Sequence, residues 1–117
     1  MRRLAIVIVT YKRQGLLAEL FDSILELTTA PWRVVVVDNE NSGETARLVA
    51  GFAERLDAQW PPADDDPDAE GGPSRVVYDP MEENTGGSGG FSEGVRRAFE
   101  LGAEWFWVMD DDVAVLP

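Results

Sequence analysis

An aromatic and aliphatic run, Trp105-Phe106-Trp107-Val108-Met109, leads directly into Asp110, Asp111 and Asp112. Three carboxylates delivered by a buried strand call for a cation. At an effective dielectric near 20, two carboxylates about 5 Å apart repel by roughly 3 kcal/mol, a cost that a divalent ion or protonation relieves. Along an extended segment the first and third side chains turn to the same side, so one face carries Asp110 and Asp112. The chain has no cysteine and no histidine, which leaves oxygen as the ligand type. Such a site suits Mg²⁺ or Mn²⁺ bridging to a diphosphate, where the ion stabilises a departing phosphate as a Lewis acid. The plain alternative is an acidic turn after a strand.

A second constellation is the glycine cluster Asn84-Thr85-Gly86-Gly87-Ser88-Gly89-Gly90-Phe91. It is expected as a loop that enters a helix, where unpaired backbone N–H groups and the positive dipole end favour an anion and glycines allow close approach. A nucleoside diphosphate is its natural ligand, with Gly86, Gly87, Gly89 and Gly90 against it. Gly87 and Gly89 begin a Gly-x-Gly pattern, but Ser92 stands at the third glycine position and the cluster does not follow the first strand. The dinucleotide fingerprint therefore fails on residue and on place. A P-loop fails for want of its lysine. A flexible turn is the alternative reading.

Two strand ends supply the remaining parts. The first apolar run ends in Thr10-Tyr11 and the second in Asp38-Asn39. In an open parallel sheet ligands bind beyond the carboxyl ends of strands, so both pairs are expected to face the cleft. Asp38 can accept from a nucleobase imide or a ribose hydroxyl, and Thr10 and Tyr11 can line the base. Alternatively, Asp38 and Asn39 only open a turn or cap the following helix.

The elements that must position these residues follow from periodicity. Four apolar runs read as strands: Leu4 to Thr10, Arg33 to Asp38, Arg75 to Tyr78 and Glu104 to Met109. The first, second and fourth are nearly continuously apolar, as in a parallel strand covered on both faces. Between them, Leu17, Leu20, Phe21, Ile24 and Leu27 recur at spacings of three and four on one helical face. A second helix is expected from an N-cap at Asn41, with Glu44 three residues on, through Val49, Phe52, Ala53 and Leu56. A third carries Phe91, Val95, Ala98 and Phe99 and ends at Gly102 as its C′ residue. This alternation is an α/β fold, a Rossmann-like, mostly parallel sheet flanked by helices with right-handed crossovers.

The 117 residues suit one domain, 44% of them hydrophobic, and the formal charge of −12 argues against a nucleic-acid backbone as partner. Residues 57–73 are rich in Pro, Gly, Asp and Glu and carry no basic residue, so they read as an acidic, flexible insertion. It holds a decoy, Asp64-Asp65-Asp66, that no strand aims and no glycine loop accompanies. No stretch reaches the roughly 18 apolar residues of a membrane span, so the chain is read as soluble and cytoplasmic. Peripheral association of a full-length protein with the inner face of a membrane stays open.

Taken together, Ala5 to Arg13, Val35-Val36-Val37-Asp38-Asn39, Asn84 to Phe91 and Trp107 to Asp112 resemble the family 2 glycosyltransferases of the GT-A fold. The glycine loop with the triple aspartate looks most like the galactofuranosyltransferase branch and its rhamnosyltransferase-like neighbours. The resemblance implies inverting transfer of a sugar from a nucleotide-sugar donor, often a UDP-sugar, to a glycan or lipid-linked acceptor, as in cell wall polysaccharide biosynthesis. By position it implies that Thr10, Tyr11 and Asp38 hold the nucleobase and ribose, and that Gly86 to Gly90 lie against the donor. Asp110 would reach the ribose or metal region, Asp111 would support the donor sugar or the loop, and Asp112 would be the main metal ligand.

In that family the general base, and often a histidine completing the metal site, follow the metal motif. The resemblance thus implies that this chain is a nucleotide-sugar-binding domain truncated before the acceptor-binding part, with the base beyond Pro117 and no transfer by the chain alone. A rival reading is a non-catalytic nucleotide-binding or interaction module. A receiver-like or phosphatase-like Mg²⁺ pocket would need a lysine on a late strand, and none follows Lys12.

Overall fold

A computed structural model of the chain describes residues 4–11, 14–28, 31–39, 42–60, 74–81 and 86–110. Strands β1 (Leu4–Thr10) and β2 (Arg33–Asp38) form where expected. Their β-branched runs are stiff at χ1 and fill a pleated surface, and every residue of β2 is buried. Helix α1 (Gln14–Leu25) buries Leu17, Leu20, Phe21 and Ile24. Leu27 lies past its end but packs on the same core.

Helix α2 (Gly43–Gln59) is capped by Ser42, one residue later than the expected Asn41. Ser42 is extended, at φ −95° and ψ 135°, and its Oγ accepts from Glu44 N at 3.2 Å. Serine and asparagine cap equally well, so spacing alone does not separate the two. Asn41 lies outside the described residues. The helix continues through Gln59, so Asp57 to Gln59 belong to it and Trp60 is its C-cap rather than the start of an insertion. Residues 61–73, with Asp64 to Asp66, lie outside the described residues.

Arg75 fastens this helix end. Its backbone N donates to Asp57 Oδ1 at 3.0 Å, its Nε to Trp60 O at 2.8 Å and its Nη1 to Pro31 O at 2.9 Å. One guanidinium thus satisfies carbonyls at the C-terminus of α2 and in the approach to β2, where the helix dipole favours a cation.

Strand β3 (Val76–Pro80) begins and ends later than its apolar run. Asp79 and Pro80 are poor strand formers, but they pair with Val37 and Asp38, and Pro80 is tolerated because β3 is an edge strand. Strand β4 (Trp105–Asp110) likewise takes in the first aspartate of the triplet. Helix α3 (Gly86–Leu101) starts inside the glycine cluster, so Gly86 to Gly90 form its opening turns rather than a preceding loop. It ends as expected at Gly102, φ 109°, where Gly102 N bonds to Phe99 O and Ala103 N to Ala98 O, each at 3.0 Å. This pair of bonds is a Schellman motif.

The sheet is wholly parallel, in the order β3-β2-β1-β4. Helices α1 and α2 cover one face, packing on Ile6, Ile8, Val34, Val36 and Val76, with Phe21 and Phe52 stacked at 4.1 Å and 2° between rings. Helix α3 covers the other, on Val7, Val9, Val35, Val37 and Val77. It lies close: a Cβ on Gly94 would overlap Val7 Cγ1, and one on Gly90 would stand 2.7 Å from Val9 Cγ1 and 2.9 Å from Asn39 Nδ2. Ala98 continues the small-residue contact, whereas Phe99 faces out, 71% exposed. Trp105, Phe106, Trp107 and Val108 also keep exposed surface, so β4 is not covered on both faces as its continuous apolar run predicts. No helix among the described residues is long and apolar enough to cross a membrane.

Candidate functional site

In a parallel sheet all carboxyl ends meet at one edge. Here Thr10 pairs with Asp38, Asp38 with Pro80 and Val9 with Asp110, so β1, β2, β3 and β4 end side by side. Connections leave β1 towards β2 on one side, while the crossover through α3 returns to β4 on the other. The sheet therefore has its topological switch between β1 and β4, where ligands of doubly wound folds bind. Tyr11 follows the end of β1, Asp110 ends β4, and α3 begins after β3 at the same edge.

The expected site residues divide by exposure. Tyr11 is exposed, whereas Thr10, Asp38 and Asn39 are buried at 2%, 0% and 5%. They form the floor of the edge rather than its lip. Asn39 N bonds to Thr10 O and Met81 N to Asp38 O, each at 2.9 Å, extending the ladder past the strands. Asp38 Oδ2 accepts from Ser42 N at 2.9 Å and from the Tyr78 hydroxyl at 2.5 Å. Asp38 thus does open the turn into α2, as its plainer reading required. Burial, followed by the hydrogen bond and charge of Asp38, pushes the Tyr78 phenol well above its ordinary range.

On the α3 face, Asp79 and Glu93 form a carboxyl pair. Burial, then the hydrogen bond to Glu93 and its charge, pushes Asp79 up to about 7 against the pull of Arg97 and Arg96. The bond from Asp79 holds Glu93 below its ordinary range, with Arg96 assisting through contacts of 2.8 Å to both carboxylate oxygens. Asp79 is therefore the carboxyl of the pair that holds a proton more readily. Its Oδ2 is buried and accepts no hydrogen bond among the described residues, which suits a neutral acid and not a carboxylate.

Of the glycines, Gly90 turns its α-carbon to the sheet, against Val9 and Asn39, and Gly86, Gly87 and Gly89 lie in the opening turns of α3. Asp111 and Asp112 lie outside the described residues, and among the described residues no three acidic side chains stand together as a metal site. Of the acidic triplet the structure describes the backbone of Asp110 alone, which β4 brings beside β1 at the switch. Sequence reasoning missed Ser42, Tyr78, Asp79 and Glu93. Strand alternation was the available signal, since it places Tyr78 on the face of Val36 and Asp38, and Asp79 on that of Val37.

Comparisons with known proteins agree with this geometry. The family model described as glycosyl transferase family 2 matches residues 5–117. Galactofuranosyltransferase GlfT1 of Mycolicibacterium smegmatis is 33% identical over 106 residues, covering 91% of this chain. That of Mycobacterium tuberculosis is 32% identical over 108 residues, with the same coverage. The chain spans only 28% and 29% of the length of these relatives. Among solved structures, S. aureus TarS 1–349 in complex with UDP superposes with a TM-score of 0.68 at 20% identity, over 96% of this chain and 28% of that one. The complex of the same protein with UDP-GlcNAc gives 0.66 at 20%, over 96% and 27%. A match across almost the whole sequence, on a fold whose switch point gathers the same strand ends, establishes that this chain belongs to glycosyl transferase family 2.

Proposed function

We propose that the chain is the donor-binding part of a glycosyltransferase that moves a sugar, with inversion, from a UDP-sugar to a hydroxyl of a glycan or lipid-linked acceptor. The observation that carries this is the convergence of Tyr11, Asp110 and the start of α3 at the switch between β1 and β4. The names of the GlfT1 relatives and the UDP and UDP-GlcNAc complexes of TarS support the donor class.

In this reading the nucleoside lies over the carboxyl ends of β1 and β2. The exposed Tyr11 ring lines the base, and Thr10, Asp38 and Asn39 make the floor that fixes base and ribose. The opening turns of α3, through Gly86, Gly87 and Gly89, offer N–H groups and the positive dipole end to the diphosphate. Asp110 and Asp112 would hold Mg²⁺ or Mn²⁺, which when bound neutralises charge on the departing diphosphate. Asp111 supports the donor side of the site. In the transfer the acceptor oxygen bonds to the anomeric carbon as the bond to the diphosphate oxygen breaks. UDP leaves with the electron pair, and a general base takes the acceptor proton.

Calorimetry with UDP, with and without Mn²⁺, tests the reading. Metal-dependent binding that is lost in Asp112→Ala and kept in Asp65→Ala is expected. Equal effects of the two substitutions would overturn it.

A further inference from the structure

Tyr78 is the partly buried group that ties three elements at one atom. Its hydroxyl, on β3, donates to Asp38 Oδ2 on β2 at 2.5 Å and lies 3.5 Å from Ser42 O at the entrance to α2. The same Oδ2 accepts from Ser42 N at 2.9 Å. Two donors on one oxygen fix the rotation of the carboxylate, and the short O–H···O⁻ bond is of the charge-assisted kind. The register explains the reach: Tyr78 pairs with Val36, two residues before Asp38 on the same face, and its ring extends along the strand direction.

Asp38 has no exposed surface, so it serves a ligand through the floor it holds rather than by swinging out to meet it. A buried carboxylate contributes to recognition only if it is already turned correctly, and the cost of ordering it is then met in folding instead of binding. Tyr78 supplies that order. Without its hydroxyl, Asp38 would keep the Ser42 amide but lose this short bond, and the floor beneath base and ribose would loosen.

We propose that Tyr78 is a positioning residue for nucleoside recognition, acting through the carboxylate of Asp38. This rests on the donor-site reading above. The phenol touches no reacting atom, and its contribution lies in the nucleoside half of the donor, leaving the diphosphate half to the glycine turns of α3.

The test is a binding cycle between protein and ligand. Tyr78→Phe is expected to weaken UDP at least about tenfold, the scale of one charge-assisted hydrogen bond, while leaving inorganic diphosphate unchanged. The penalty should shrink for whichever of N3-methyl-UDP, 2′-deoxy-UDP or 3′-deoxy-UDP lacks the group that rests on the floor Asp38 holds. Ser42→Ala serves as a comparison for loosened helix entry: it removes the cap to Glu44 but keeps the backbone donor to Asp38, and any loss it causes should be the same for UDP and the three analogues. A ligand-free readout accompanies it. Tyr78 should ionise only in strong alkali, and Asp38→Asn should lower the pH at which its absorbance changes. Equal UDP binding by Tyr78→Phe, or equal losses for UDP and diphosphate, would overturn the proposal while leaving the donor site standing. Failure of the unsubstituted chain to bind UDP would instead sink the donor site itself, and the proposal with it.

Discussion

Asp79 at the end of β3 is hydrogen-bonded to Glu93 on α3, and this bond, added to burial, raises the Asp79 carboxyl while it lowers that of Glu93. The pair links the strand edge to the glycine-led helix. Asp79 in the folded chain titrates at about 7, above its ordinary 3.8, so the folded state binds the extra proton between those values. Stability from this group is full below about 3.8 and is lost as pH rises towards 7. Glu93, held below its ordinary 4.5, acts oppositely and only in acid, losing its contribution as pH falls. The melting temperature is expected to drop between about pH 5 and pH 7.5, and Asp79→Asn should flatten that slope by a few degrees. An unchanged slope in thermal melts of the variant would refute the raised Asp79 carboxyl.

Two glycines in helices should respond in opposite directions to the same substitution. Gly94→Ala drives a methyl into Val7 Cγ1 and to 3.1 Å from Val37 Cγ2, an overpacking cost of about 1–3 kcal/mol that exceeds the gain in helix propensity. Gly51→Ala on exposed α2 meets nothing within 4 Å and should stabilise by about 0.5–1 kcal/mol. Urea unfolding of both variants gives the signs directly.

The Phe21 and Phe52 rings join α1 to α2 at 2% exposure each. Phe52→Ala should cost about 3–5 kcal/mol, a large share of the stability of a domain this size. A double-mutant cycle with Phe21→Leu and Phe52→Leu should return about 0.5–1.5 kcal/mol of coupling beyond the area each ring buries.

Arg75→Ala strips donors from the carbonyls of Trp60 and Pro31. A loss of about 1–3 kcal/mol is expected in calorimetric melts. Arg75→Lys should recover only part of it, because a lysine cannot reach divergent carbonyls with a planar fork.

The bounds of β1 and β2 were legible because continuous β-branched runs have one good solution, a strand covered on both faces. β3 was displaced because its last two residues join through pairing with Val37 and Asp38, a tertiary effect that propensity opposes. The glycine cluster misled for a similar reason. Five residues that favour a loop are held as helix, and Gly90 and Gly94 serve the fit of α3 to the sheet. At the site, strand ends announced Thr10, Asp38 and Asp110 through topology alone. Tyr78 depends on cross-strand register and the Asp79–Glu93 pair on the packing of α3 against β3, which residue spacing along one chain does not encode, whereas Ser42 lies only four residues past Asp38.

The strand order also sets a schedule for assembly. β1 is the centre of the sheet, yet its second neighbour, β4, pairs Leu4 with Trp105, roughly 100 positions away in sequence. β1, α1 and β2 can dock as soon as they exist, whereas β1 must wait with one ladder open until the last aromatic run arrives. Closure across that distance is slow, and a nascent chain carries an unpaired apolar edge in the meantime. Asp110, which ends this run, therefore reaches the switch point only after β1 and β2 have paired, so the two sides of that edge are joined by the long-range ladder and not by the local one.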